Sequence, residues 1–255
     1  MGFNEILERA RKQNEEAQSR SGSGATYIYP GEGSTSFRLL YNPKSNNIFR
    51  QISRHWSDAL KKHVPCLEMY GLPCPFCEIK KLAEAKGENP SWKLDPQRKV
   101  IFHATYASAD KPSSDKVKKG DTVVVMTARS VETAFNKLFV DDLSENLAAV
   151  LAAPSGLAFN LKRYNDGGFT KYEVVPSPFG KVESAKTDEE MVKLLDELPE
   201  INETYFPASL TDDLKKSVIE ATEKAMEAWK IDPNENTVLN ELKGGSMNPP
   251  VPGQN

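Results

Sequence analysis

The sequence predicts an α+β fold, a small Greek-key β-barrel with helices around it. Three observations lead there. Short runs rich in β-branched and aromatic residues recur along the first two thirds of the chain. Turn signals separate them, notably Pro30-Gly31-Glu32-Gly33 and Asn165-Asp166-Gly167-Gly168. Segments with helical spacing are inserted between the strands and follow them.

The elements follow in order. Residues 3–19 read as a helix, with Phe3, Ile6, Leu7 and Ala10 on one face. Ser19 to Gly24 reads as a linker, so residues 1–24 form an arm whose apolar stripe needs a partner, the body or a second copy. Strands are expected at Thr26–Tyr29, Ser36–Tyr41, within 47–56, at Arg98–Ala107 and at Asp121–Thr127. Leu157, Phe159 and Leu161 alternate with other residues before the Asn165–Gly168 turn, and Phe169–Val175 returns as a hairpin.

Helices come between and after. Val131, Ala134, Phe135 and Leu138 follow a Ser130 cap, and Leu143, Leu147, Val150 and Leu151 end before Pro154. Thr187 with Glu190 makes a capping box ahead of Met191, Leu194, Leu195 and Leu198. Residues 209–229 form the longest helix, with Leu210, Leu214, Val218, Ala221, Ala225 and Trp229 on one face. Pro, Asn and Gly then dominate, which predicts a flexible tail over 231–255.

Composition bounds the function. The 255 residues suffice for one large domain, or a domain with a subdomain and tails. No apolar run approaches the ~18–20 residues that span a bilayer, and no cleavable leader opens the chain, so neither a membrane nor a secreted protein is expected. The net charge of −3 hides an asymmetry: residues 36–130 carry +8 and residues 181–255 carry −8. Such segregation points to nucleic-acid or surface binding with a countervailing acidic segment.

The three cysteines, Cys66, Cys74 and Cys77, fall within twelve residues. An odd count fits a reducing compartment. Cys74-Pro75-Phe76-Cys77 is a knuckle that can point two thiolates at one ion, and Cys66 is far enough upstream to return to it. A fourth ligand is available from His55 or His63, and local spacing alone favours His63. A redox pair would leave Cys66 and both histidines without a role, and it lacks a βαβ context. Three thiolates and a histidine close a tetrahedral shell, so one structural Zn2+ is expected rather than a catalytic one. No phosphate-cradling loop, nucleophile elbow or H-E-x-x-H motif is found, His103 stands alone in a strand, and no enzyme is expected.

Within 36–130 cations interleave with rings, the two elements that bind single strands through phosphates and stacked bases. The predicted contacts are Arg38, Tyr41, Arg50, Arg54, Lys62, Lys99, Phe102 and Tyr106.

These features together resemble the T4-type phage single-stranded DNA-binding (helix-destabilising) proteins. The resemblance rests on the order His55, Cys66, Cys74, Cys77, on Ala104–Lys111 followed by Lys116–Arg129, and on Phe179-Gly180-Lys181 leading into an acidic helix. It covers roughly residues 25–230. It implies an oligonucleotide-binding (OB) barrel over 25–180, a zinc-ribbon subdomain inserted at about 50–95, an acidic helical region over 181–230 packed on the core, and His55 as the fourth ligand. It also implies a protein that coats exposed strands during phage replication, recombination or repair in the host cytoplasm. Replication or recombination proteins would dock on the acidic third, and the N-terminal helix would mediate self-association. Two features depart from the family. The arm's Arg9, Arg11 and Lys12 are balanced by acidic residues, and the acidity lies in the helices from Asp188 to Glu227 rather than at the extreme C-terminus. The alternative is a zinc-ribbon interaction or transcription-accessory subunit that docks on a polymerase.

Overall fold

The computed structural model describes residues 26–41, 47–112, 116–142 and 151–245. The predicted arm at 1–24, most of the predicted helix at 143–151 and the last ten residues of the predicted tail lie outside them. The strands are β1 (Tyr27–Ile28), β2 (Gly33–Leu39), β3 (Arg50–Ser57), β4 (Lys62–Pro65), β5 (Gln97–Ala109), β6 (Thr122–Ala128), β7 (Ser155–Asp166) and β8 (Phe169–Glu183). The helices are α1 (Pro75–Ala85), α2 (Ser91–Leu94), α3 (Arg129–Asp142), α4 (Asp188–Glu197), α5 (Asp212–Trp229) and α6 (Thr237–Lys243). No helix among the described residues is long and apolar enough to cross a membrane.

The chain divides into two compact units. The first takes residues up to Gln51 and Val100–Phe206; the second takes Ile52–Lys99 and the chain from Pro207 onward.

The fold is mixed α+β. In the first unit the strand order is β1-β6-β5-β2-β7-β8. β1 runs parallel to β6, while β2 pairs antiparallel with β5 and β7, and β7 with β8. The path ends at β1 and β8, so the sheet is open, where a closed barrel was expected. The composition of β8 suits an edge: Pro176 and Pro178 have no N–H to donate to a further strand. β6 carries Val123, Val124, Val125 and Met126, all buried, because both of its faces are covered. Phe37, Phe102, Phe135 and Phe159 pack at the centre, with α3 contributing Val131, Phe135 and Phe139. A smaller cluster seats α4 through Met191, Leu195 and Leu198 against Leu40. Thr187 caps α4, its Oγ1 accepting from Glu190 N–H at 3.2 Å, while the Glu190 carboxylate reaches back to Lys186 N–H at 2.9 Å, one residue before the partner a capping box would use.

The second unit joins two distant stretches of chain. Val64, Leu67, Phe76 and Ile79 share one core with Val218, Ala221 and Met226 of α5 and Leu239 and Leu242 of α6. The expected tail therefore begins later than 231: Ile231, Leu239 and Leu242 are buried, and apolar burial holds α6 in place. The acidic helices, expected as one region on the core, fall one to each unit: α4 belongs to the first and α5 to the second.

Candidate metal centre

β3 and β4 form an antiparallel hairpin with His55 opposite Val64 and Trp56 opposite His63. The ladder continues one step further, where Cys66 N–H donates to Ser53 O at 2.9 Å and so lies beside the strand that carries His55. Cys66 then opens a 3-10 turn over Leu67–Tyr70, which Gly71 ends in the left-handed conformation at φ 73°. Cys74 is the N-cap of α1, Pro75 opens the helix with a φ suited to that position, and Cys77 lies in the first turn. Two sulfurs thus sit at a helix N-terminus, where the aligned peptide dipoles favour the thiolate. The knuckle is the start of a helix, where a ribbon turn was expected.

The four ligand atoms converge. His55 Nε2 lies 3.5 Å from Cys74 Sγ and 3.6 Å from Cys77 Sγ. Cys66 Sγ lies 3.8 Å from Cys77 Sγ, and all four atoms are within 4.8 Å of one another. His55 Nδ1 is 3.1 Å from the carbonyl of Leu94. A carbonyl only accepts, so Nδ1 carries the proton and Nε2 presents its lone pair to the sulfurs. The imidazole is stacked on Phe76, ring centres 4.9 Å apart, which fixes its plane. His55, Cys66 and Cys74 are buried, and Cys77 is half-buried. This group can hold one metal ion.

His63 is on the other face of the hairpin. Side chains alternate along a strand, and residues opposite one another point the same way. His63 therefore shares the side of Trp56, meeting that ring edge-on at 4.9 Å, while His55 points to the cysteines. Burial and the nearby Arg54 guanidinium lower the His63 pKa to about 4.

The thiols show why a cation suits the cluster. Hydrogen bonds from Cys66 and Cys77 hold the Cys74 thiol well below its ordinary pKa. Hydrogen bonds with Cys66 and Cys74, then burial and the negative charge of those two, push Cys77 up. A bound cation would relieve the repulsion that opposes ionising Cys74 and Cys77 together.

The expected DNA contacts separate into two groups. Five are buried, which corrects the prediction for them. Arg38 donates to the carbonyls of Leu151, Ala153 and Pro154 and to Ser184 Oγ. Arg50 donates to the carbonyls of Thr204 at 2.6 Å and Phe206 at 2.5 Å. Arg54 is buried on β3. Phe102 packs at 5.3 Å from Phe37 in the core, and Tyr106 lies in the same cluster, its hydroxyl pKa raised by burial. Each is turned inward, so none of the five presents its side chain to solvent. Tyr41 and Lys99 are half-buried, and Lys62 is exposed, its ammonium donating to Ser217 Oγ at 3.2 Å.

Among the described residues, three exposed rings fall outside the predicted contacts: Tyr29, Trp56 and Phe169. Phe169 was legible as the first residue after a hairpin turn, and Trp56 from its alternation with His55. No protein-family model matches the sequence, and no curated protein matches it.

Proposed function

We propose that the chain is a non-enzymatic single-stranded DNA-binding protein with one structural zinc ion, and that the open sheet of the first unit works as an OB-type platform. The observation that carries this reading is the placement of exposed rings beside exposed cations. At the tip of the β7–β8 hairpin Phe169 is 75% exposed, and Lys162 lies over the Tyr164 ring at 5.7 Å, with Lys171 on the facing strand. On the second unit Trp56 and Lys62 are exposed. Rings stack on bases and cations track phosphates without a need for sequence readout.

Zinc is supported by the donor set and its spacing. Zinc–sulfur and zinc–nitrogen bonds of about 2.3 and 2.0 Å in a tetrahedron separate two sulfurs by about 3.8 Å and nitrogen from sulfur by about 3.5 Å. The cluster has 3.8 Å for Cys66–Cys77 and 3.5 and 3.6 Å for the His55 pairs. Three thiolates and an imidazole leave no position for substrate, which supports a role in folding. Cobalt substitution checks this: a tetrahedral spectrum with three thiolates and no exchangeable water is expected.

The function is tested by titrating oligo-dT and duplex DNA side by side at rising salt. Tighter binding of the single strand is expected, weakening as log K falls with log salt by about 0.7 per phosphate contacted. No binding, or binding indifferent to salt, defeats the reading. A docking subunit is the rival, favoured by Val192, exposed on the acidic helix α4; a protein partner without DNA affinity would establish it.

A further inference from the structure

Beyond Gly245 the sequence continues through Pro249-Pro250-Val251-Pro252, and residues 246–255 carry no charged side chain. The chemistry of this run restricts its backbone. Each proline ring fixes its own φ, and the residue before a proline is disfavoured from helical angles. Asn248 to Pro252 are all biased toward polyproline II in this way. A segment so restricted loses little further entropy on binding, and P-x-x-P runs dock in grooves lined by aromatic rings.

The second unit has such a groove. Trp56 of β3, 38% exposed, and Trp229 at the end of α5, half-buried, line a half-open cleft of about 80 Å³. The buried Phe76 and Leu94 line it too, and α5 adds only the methyl groups of Ala225 and Ala228. The charged groups of the lining are engaged. Lys224 meets Glu227 at 3.4 Å, Asp58 Oδ1 accepts from Trp56 Nε1 at 3.0 Å, and Lys93 has a partner as well. The cleft therefore suits an apolar, uncharged occupant. It has room for a proline ring and falls well short of the roughly 300–1,000 Å³ of small-molecule pockets.

The end of α6 lies within reach. Lys243 Nζ meets Glu223 Oε1 at 2.6 Å, which places the last turn of α6 beside the part of α5 that carries Lys224 and Ala225. Pro249 follows Gly245 by four residues, an extended span of up to about 14 Å. A helix with its side chains is about 10–12 Å across, so the segment is long enough to pass α5.

We infer that the cleft is the docking site for the Pro249–Pro252 segment of the same chain, with a proline ring between Trp56 and Trp229. The contact is a strap on the second unit. Of the exposed rings beside cations it takes only Trp56, so the DNA reading stands or falls by its own titration.

The test uses the full-length protein labelled with 5-fluorotryptophan for fluorine NMR and with nitrogen-15 for relaxation. Replacing Pro249, Pro250 and Pro252 together by Ser shifts the Trp56 and Trp229 resonances. These positions lie beyond the last described residue, and an unchanged melting temperature verifies the fold. Val251, the one residue of the motif with an N–H, has an order parameter near that of rigid backbone, about 0.85, in the parent. Trp56→Ala, at an exposed position, lowers it below about 0.6. Fluorine resonances that stay in place in the proline variant, or a Val251 amide already mobile in the parent, overturn the inference. Docking within one chain is independent of protein concentration. Readings that change on dilution mean that a second copy supplies the segment, and they overturn the assignment to the same chain.

Discussion

The guanidinium of Arg38 donates to Pro154 O and Ser184 Oγ at 2.8 Å each, and burial lowers its pKa to about 10. It remains a cation at neutral pH, bonded to the carbonyls of Leu151, Ala153 and Pro154, the last of which also accepts from Ser184 and Ala185 N–H. Arg38→Met should cost about 3–5 kcal/mol in urea unfolding, because buried carbonyls lose charged donors. Gly156 is the companion site: a Cβ there would stand 2.6 Å from Arg38 Nε, and the bonded guanidinium has little freedom to give. Gly156→Ala should lose about 1–3 kcal/mol by the same measurement. His103 adds a pH dependence. It is buried with Nε2 donating to Pro199 O at 3.0 Å, and burial lowers its pKa to about 4. The folded form thus keeps the ring neutral. As pH falls through about 6.5 the unfolded chain takes up a proton first, and stability is lost until about pH 4 at up to ~1.4 kcal/mol per pH unit. Unfolding of the parent and of His103→Gln across pH 4–7 should show the parent's advantage shrinking by about 3 kcal/mol over that window; a constant difference would refute it. Which arginines are internal was hidden in the sequence. β2 is buried along Thr35–Leu39 without alternation, so Arg38 reads there as a surface cation. The three cysteines were legible because a helix N-terminus and a hairpin can be encoded in local spacing. The choice between His55 and His63 needed the strand register, which spacing does not carry.

Among the elements, α6 depends most on one side chain. Asn236 is fully buried, its Oδ1 accepting from Leu239 N–H at 2.9 Å and its Nδ2 donating to Pro75 O at 3.0 Å. It caps α6 and ties that helix to the first residue of α1, three positions before Glu78 and beside Cys74. Asn236→Ala removes a cap worth about 1 kcal/mol and one further buried hydrogen bond, to the Pro75 carbonyl, worth about 0.5–1.5 kcal/mol more. The expected result is a loss of about 1.5–2.5 kcal/mol in chemical unfolding, together with weaker metal retention against a chelator. Asn236→Asp, which keeps the cap but not the donor, should fall between. The strands and the two long C-terminal helices were readable because their apolar positions repeat with clear periods. α1 and α6 were not. The first was masked by reading Cys74–Cys77 as a bare knuckle, although Phe76, Ile79 and Ala83 lie on one helical face. The second was masked by the Pro and Asn around it, although Asn236 with Leu239 and Leu242 is a cap followed by an apolar stripe.

At the scale of the molecule, the two units would not depend alike on a metal bound at the His55–Cys66–Cys74–Cys77 cluster. The first has its own aromatic core around Phe37, Phe102, Phe135 and Phe159. The second takes all four ligands from Ile52–Lys99, while much of its core comes from α5 and α6, more than a hundred residues later in the chain. Joining such distant stretches closes a long loop, and the cost rises with its length. A structural zinc ion, the metal proposed for this cluster, would contribute about 10–16 kcal/mol of apparent binding free energy at neutral pH, as large as the net stability of a whole domain. Removing the metal should therefore release the second unit first. Cys66 and Cys74 anchor the chain on either side of the turn that carries Leu67 and Leu72 into the shared core, so α5 and α6 lose their seat when the thiols separate. The expected outcome under a thiophilic chelator is faster hydrogen exchange in α1, α5 and α6, with the amides of β2 and β7 retaining their protection. Readdition of zinc should restore the pattern. Equal loss of protection in both units would show instead that the metal supports a single cooperative fold.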